Sequence, residues 1–244
     1  MAGSRHGDHD VYGALLEDAL AGRRAHEVVE RDDGFVMAFD ARYLLAPFAR
    51  WDDADERRAM RFVRGRVLDA GCGGGRVCLH LQERGLEVVG IDSSPGAIEI
   101  CRRRGVLDAR ELAVDELDGS VGPFDTIVLL GQGLGVLGSR GRARRLLAKL
   151  ASIASPRGRI VAETFDPHAL DDPVHRRYRE RNVGRGRMPG QLRVRVRHQD
   201  LSTPWFDWLQ VSQQELEELL QGTAWRLSRT IGAGPSYVAI VDRG

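Results

Sequence analysis

The chain has 244 residues, of which 42% are hydrophobic and 29% charged, and 36 basic against 35 acidic side chains leave a net charge of +1. This length predicts one domain, or one domain with a modest accessory segment, and the charge balance argues against attraction to nucleic acid or a membrane surface. Three cysteines are too few for a disulfide framework. The apolar runs are shorter than the roughly 20 residues of a membrane span, and no signal peptide is visible. We therefore expect a cytoplasmic protein.

The N-terminal region is predicted to be helical after a disordered start. The first ten or so residues are polar, which is typical of a disordered terminus. From Val11 to about Arg64 the apolar residues recur at helical spacing, and a turn at Asp32-Asp33-Gly34 interrupts them. We interpret residues 1–64 as a helical lid.

Strand and helix patterns then alternate over residues 65–164. The predicted strands are Val67 to Ala70, Leu86 to Ile91, Ala109 to Leu112, Phe124 to Leu130 and Arg159 to Thr164. Helical patterns lie between them, one with proline at its first turn (Pro95) and one from Arg140 to Ala154. This alternation predicts βαβ units and a mostly parallel, doubly wound sheet.

The alternation stops after Thr164. Residues 165–190 are polar and predicted to be irregular, and 191–198 alternate as a strand whose hairpin partner we place within 204–211. We interpret 165–211 as an insertion at the acceptor site. Residues 212–244 then contain a helix that opens with a capping box at Ser212 and two closing strands, which complete the core.

A glycine-rich turn follows the first strand of the alternating region, in the pattern Asp69-x-Gly71-x-Gly73-x-Gly75. Such a turn lets backbone approach a ligand closely. It is not a dinucleotide fingerprint, because Arg76 stands where that motif needs a small residue, and no Gly-Lys-Ser/Thr follows for a nucleotide phosphate loop. The acid before the first glycine suits a ligand with an ammonium group.

Two further acids follow later strands of this region. Asp92 lies 21 residues after Gly71, a spacing at which a carboxylate reaches ribose hydroxyls from the second strand, although it could also cap the next helix. Asp115, beside Glu116, lies in the loop after the third strand, where a plain solvated acid is the alternative.

With these motifs in their order, the chain resembles the class I S-adenosylmethionine-dependent methyltransferases. The matching segments are 67–76, 89–94, the Asp115 loop, 124–128 and 156–161. The resemblance implies a Rossmann-like fold with a seven-stranded sheet, S-adenosylmethionine as cofactor and S-adenosylhomocysteine as product.

The resemblance also assigns roles to single residues. The methionine moiety would lie against Asp69 and the 71–75 backbone, with Cys72 and Arg76 in the same turn. The ribose would bind Asp92, and the adenine would lie near Ser93, Asp115 and Glu116. Leu130 and Gly131, after the fourth strand, would flank the cofactor.

The acceptor is predicted to be a small molecule, with specialised metabolism as one setting. Gly131-Gln132-Gly133 replaces the Asn/Asp-Pro-Pro-Tyr signature of enzymes that methylate exocyclic amines, and no cysteine follows a proline as cytosine C5 attack requires. The candidate bases are His168 and His175, and each could equally be a surface residue. The candidate acceptor-binding residues are Gln132, Tyr178, Asn182 and Trp205.

Nine arginines against one acid (Glu180) mark residues 176–197. In order of preference, they form a solvated face, a clamp for an acidic acceptor, or an RNA-binding patch used by an RNA methyltransferase, and the scarcity of aromatic residues among them argues against RNA. A methyltransferase-fold protein that binds the cofactor without methylating is the alternative to an active enzyme.

No metal is expected, because we interpret His6, His9 and the neighbouring acids as part of a solvated N-terminal tail. The protein is expected to be a monomer or a homodimer.

Overall fold

The computed structural model describes residues 10–244. The predicted disorder of the first residues, and the side chains of His6, Asp8 and His9, lie outside this range. None of the helices in this range has the length and apolar composition of a membrane-spanning segment.

Helices and strands alternate through most of the described chain. The helices are α1 (Val11–Leu20), α2 (Ala54–Ala59), α3 (Arg76–Glu83), α4 (Pro95–Arg104), α5 (Arg140–Ile153), α6 (Pro173–Gly184) and α7 (Gln213–Leu220). The strands are β1 (His26–Arg31), β2 (Val36–Asp40), β3 (Val67–Ala70), β4 (Val88–Asp92), β5 (Ala109–Glu111), β6 (Phe124–Leu129), β7 (Ala154–Phe165), β8 (Gln191–His198), β9 (Leu201–Ser202), β10 (Phe206–Leu209), β11 (Trp225–Ile231) and β12 (Ser236–Arg243).

The larger sheet has seven strands in the order β11-β12-β7-β6-β3-β4-β5. The pairs β4–β5 and β6–β7 are parallel, whereas β12 runs antiparallel to both β7 and β11. The predicted doubly wound, mostly parallel sheet of seven strands is therefore confirmed. Chain order reverses between β3 and β6, and in such sheets ligands bind beyond the carboxyl ends of the strands at this point.

A second, five-stranded sheet has the order β10-β8-β1-β2, with β9 also paired to β8. The strand predicted at 191–198 is present as β8, and β10 is its expected partner. The other edge of β8 pairs antiparallel with β1, where Glu30 lies opposite Arg195.

The prediction that helical structure continues through residues 26–40 is wrong. These residues form the β1–β2 hairpin, with His26 opposite Asp40 and Glu30 opposite Val36. The turn is at the predicted place, where Gly34 has a φ of +88°. The β-branched Val28 and Val29 fit a strand, and β8, which pairs with them, comes from a distant part of the sequence.

The prediction that 165–190 is irregular is also wrong, because α6 lies within this segment. Asp172 caps the helix by accepting from the Val174 amide, and Pro173 occupies its first turn. Only Tyr178 and Asn182 are buried, one turn apart, so the helix has too few apolar residues to show a helical period.

The chain divides into two compact units, and each combines distant segments. The described part of the first unit comprises residues 10–52, Asp69–Val114 and Arg193–Phe206. In it Leu16 of α1 packs against Ala97 and Ile100 of α4.

The second unit comprises Asp53–Leu68, Asp115–Leu192 and Asp207–Gly244. It contains β6, β7, β11 and β12. Trp225 is buried there, and its indole nitrogen donates to the Leu147 carbonyl of α5 at 2.8 Å.

Candidate functional site

The glycine-rich turn joins β3 to α3 in the first unit. Gly71, Gly73 and Gly75 have φ values of +82°, +51° and +78°, which side chains of L-residues rarely tolerate. A Cβ atom at Gly71 or Gly73 would meet nothing within 4 Å, so open space faces the backbone there. The Gly71 and Cys72 amides both donate to the Ile91 carbonyl at 2.9 Å, which fixes the turn to β4.

Asp69 lies within β3 and is buried, with 3% of the residue exposed. One of its carboxylate oxygens accepts from the Cys78 thiol at 3.2 Å. Burial raises the pKa of Asp69 to about 6, the charge of Asp92 acts in the same direction, and Arg76 opposes it. The ionised form of such a buried carboxylate is stabilised when a cation binds beside it.

Asp92 is the last residue of β4 and is half-buried. One of its oxygens accepts from the Gly73 amide at 3.0 Å and the other from the Ser94 amide at 2.9 Å. Burial raises the pKa of Asp92, and the negative charge of Asp10 adds to the effect. Asp92 is not the cap of α4, because Ser94 has that role and accepts from the Ala97 amide at 3.0 Å.

The other predicted cofactor residues of the first unit surround this turn. Ser93 is exposed and lines a cavity of about 280 Å³ together with Asp10, Tyr12 and Thr203. Cys72 is buried, and the Arg76 guanidinium lies 4.4 Å from the centre of the Trp51 ring.

In the second unit, the loop after β6 carries the predicted residues Leu130, Gly131 and Gln132. Gly131 and Gln132 both have left-handed backbone conformations, with φ of +64° and +63°. The Gly131 amide donates to Glu56 at 3.1 Å, and the Gln132 amide donates to Glu163 at 2.8 Å. Two buried carboxylates therefore hold this turn.

Asp115 and Glu116 are exposed in a 3-10 turn of the second unit. Asp115 forms an ion pair with Arg142, and its carbonyl accepts from Lys149. The predicted adenine contact of these two acids stays a prediction.

The two candidate bases differ in their surroundings. His168 is exposed over 49% of its side chain, and its Nε2 lies 3.2 Å from Glu215. His175 lies half-buried on α6. In the described chain no group of three or more His, Cys, Asp or Glu side chains is suited to a metal ion.

Tyr178, Asn182 and Trp205 are the other predicted acceptor-binding residues, and this role stays a prediction. Tyr178 is 3% exposed, and Asn182 is fully buried and donates to the carbonyls of Pro189 and Gln191 at 2.9 Å. Trp205, in the first unit, lies 4.9 Å beneath the Arg195 guanidinium.

Most of the arginines between 176 and 197 have partners. Arg195 and Arg197 pair with Glu30, and Arg187 pairs with Asp207. Arg179 donates to two backbone carbonyls, and Arg181 lies 4.5 Å from the centre of the Tyr178 ring. These contacts favour a paired protein surface over a phosphate-binding patch.

Sequence reasoning missed Glu56 and Glu163, which are 4% and 5% exposed. The signal for Glu163 was present, because it is a lone acid that follows the apolar run 160–162 of a central strand. Glu56 gave no such signal, since an acid in the first turn of a helix is ordinary.

The comparisons with known proteins agree on one family. A family model described as a methyltransferase domain matches residues 42–228. A crystal structure of an S-adenosylmethionine-dependent methyltransferase from Bacteroides fragilis, in complex with S-adenosyl-L-homocysteine, superposes with a TM-score of 0.82 at 26% identity. That match covers 97% of this chain and 96% of the other.

Curated relatives match over shorter stretches. YqeM of Bacillus subtilis (strain 168), whose methyltransferase name is itself provisional, is 27% identical over 140 residues, or 56% of this chain and 55% of its own. A ubiquinone biosynthesis O-methyltransferase of Mesorhizobium japonicum is 35% identical over 79 residues, or 30% of this chain and 32% of its own. The chain thus spans about a third to a half of the length of these two relatives.

Proposed function

The chain belongs to the class I S-adenosylmethionine-dependent methyltransferase family, and we propose that it transfers a methyl group from S-adenosylmethionine to a small-molecule acceptor. The observation that carries this proposal is the glycine turn with its two acids. The positive φ values of Gly71 and Gly73, and the open space where their Cβ atoms would lie, leave room for a ligand against bare backbone.

The residues of this turn fit the two ends of the cofactor. Bound S-adenosylmethionine supplies an electrophilic methyl group on a positively charged sulfur. Asp69 provides the buried negative charge that balances a cationic ligand, and Asp92 provides carboxylate oxygens for the ribose hydroxyls. The protein's task in such a transfer is alignment and exclusion of water, which alone can supply up to roughly 7–11 kcal/mol.

A small-molecule acceptor is supported by two observations. The arginine-rich segment forms ion pairs within the protein instead of presenting an unpaired basic face. The Mesorhizobium japonicum relative is named as an O-methyltransferase of ubiquinone biosynthesis. We would therefore test small molecules with a hydroxyl group as the first acceptors.

The proposal is tested by calorimetry and by product analysis. We expect S-adenosylmethionine and S-adenosylhomocysteine to bind, and mass spectrometry to detect a methylated product from an acceptor panel of 3,4-dihydroxybenzoate, dopamine, tyramine and octanoate. Absence of heat with both nucleosides would contradict the proposal. Binding without any methylated product would favour the non-methylating alternative.

Cofactor affinity is expected to fall below neutral pH because of Asp69. Its pKa is about 6 in the free protein, and a cationic ligand favours the ionised carboxylate, so binding lowers this pKa. Below pH 6 a proton must leave before the ligand binds, and affinity then declines by up to about tenfold per pH unit. Calorimetry between about pH 5 and pH 7, in two buffers of different ionisation enthalpy, measures both the affinity and the released proton.

The Asp69→Asn variant is the control for this pH dependence. It should bind S-adenosylmethionine more weakly at neutral pH and show a smaller loss of affinity on acidification. An unchanged slope in this variant would assign the pH dependence to another group, of which Asp92 is the first candidate.

A further inference from the structure

A closed hydrogen-bond network surrounds Gln132 at the end of β6. Glu163 accepts from the Gln132 backbone amide at 2.8 Å, from the Gln132 side-chain amide at 2.8 Å and from the Ser236 hydroxyl at 2.8 Å. The Gln132 side-chain amide also donates to Ser236 Oγ at 2.9 Å. All partners come from the second unit, and Glu163 lies near the carboxyl end of β7.

Gln132 carries two features that are unfavourable by themselves. Its φ of +63° lies in the left-handed region, which a residue with a long side chain seldom occupies. Its Oε1 atom is buried and accepts no hydrogen bond from any described residue. Residues kept in such a state by their surroundings are concentrated at functional sites.

The groups that shift the pKa of Glu163 most are acidic or neutral. Glu56, on α2, is buried and accepts from the Gly131 amide, Asp53 caps the same helix, and Gln132 and Ser236 contribute neutral donors. Burial raises the pKa of Glu163 to about 7, and the charges of Glu56 and then Asp53 act in the same direction, while the Gln132 amide and the Ser236 hydroxyl oppose them. Glu163 therefore changes its charge close to neutral pH.

The consequence for the turn follows from hydrogen-bond chemistry. An ionised Glu163 accepts all three donors, whereas a protonated one has an O–H group that must itself donate. Within this network the buried Oε1 of Gln132 is an acceptor that no described donor reaches. Loss of the charge on Glu163 therefore disturbs the hydrogen bonds that hold both amide groups of Gln132.

We propose that Glu163 is a positioning residue for methyl transfer, because it holds Gln132 and the Gly131–Gln132 turn in the conformation that borders the acceptor. The proposal rests on the proposed function, since the resemblance places the residues after β6 beside the cofactor. Alignment is the main contribution of a protein to this reaction, so a loosened turn reduces turnover more than cofactor affinity.

The first test is independent of methyl transfer and follows the two Gln132 amide groups by nitrogen-15 NMR. In the unaltered protein both signals should titrate together with a midpoint near pH 7. In Glu163→Gln the titration should vanish, and hydrogen exchange at the Gln132 backbone amide should accelerate at least about tenfold. In Glu56→Gln the midpoint should move to lower pH, because a like charge has been removed.

Glu218→Gln is the matched control, since Glu218 is an exposed acid of α7 in the same unit. It should leave the Gln132 titration unchanged. Hydrogen exchange at the Gln132 backbone amide that stays unchanged in Glu163→Gln would overturn the proposal, because the carboxylate would then not hold the turn.

The second test separates this proposal from the proposed function. Calorimetry should show S-adenosylmethionine affinity in Glu163→Gln within about threefold of the unaltered protein. Turnover of whichever panel acceptor is methylated should fall at least about tenfold, with part of it recovered in Glu163→Asp. If the unaltered protein binds no S-adenosylmethionine, the proposed function fails, and hydrogen exchange at the Gln132 amide still decides whether Glu163 holds the turn.

Discussion

Asp92→Ala is expected to weaken S-adenosylmethionine binding by roughly 100-fold, since two hydrogen bonds to a charged group, at about 1.5 kcal/mol each, are lost. In the free protein this carboxylate already organises the turn, because it accepts from the amides of Gly73 and Ser94. Alanine therefore removes the ribose partner and the acceptor that orders the glycine turn at the same time. Calorimetry with S-adenosylmethionine and with S-adenosylhomocysteine measures the loss.

Two further variants separate ligand binding from local stability. Asp92→Asn keeps one acceptor oxygen and should give an intermediate affinity. Ser94→Ala removes the cap of α4 and costs about 1 kcal/mol of stability, yet it leaves Asp92 in place, so affinity should stay within about threefold of the unaltered protein. A folded Asp92→Ala protein with near-normal affinity would show that the ribose binds elsewhere.

The sequence was informative about the fold wherever local pattern and tertiary environment agree. The strand before the glycine turn, the capping box at Ser212 and the closing strands are all found where the pattern predicts them. Prediction from the local pattern failed where an element is stabilised by partners that are distant in the sequence. The β1–β2 hairpin pairs with β8, about 165 residues later, and no local window contains that information.

The same distinction applies to the site. The acids beside the glycine turn can be identified from the sequence, because a charged residue ends or interrupts an apolar strand next to a glycine-rich turn. Glu56 and Glu163 meet only in the folded chain, where α2 and β7 bring them to the two amides of one turn. Their importance is electrostatic, and it depends on burial, which spacing along the sequence does not reveal.

Gly71→Ala is expected to reduce S-adenosylmethionine affinity at least about tenfold, with a stability loss of only about 1–2 kcal/mol from the left-handed backbone. The added methyl group meets no protein atom within 4 Å, so its steric effect is confined to the space proposed for the ligand. Gly85→Ala is a matched control, because Gly85 has a φ of +77° against +82° for Gly71 and equally open surroundings, but follows α3 at its far end. Thermal unfolding should show similar destabilisation of the two variants, and calorimetry should show weak binding in Gly71→Ala alone. Equal affinities in the two variants would mean that no ligand approaches the backbone at Gly71.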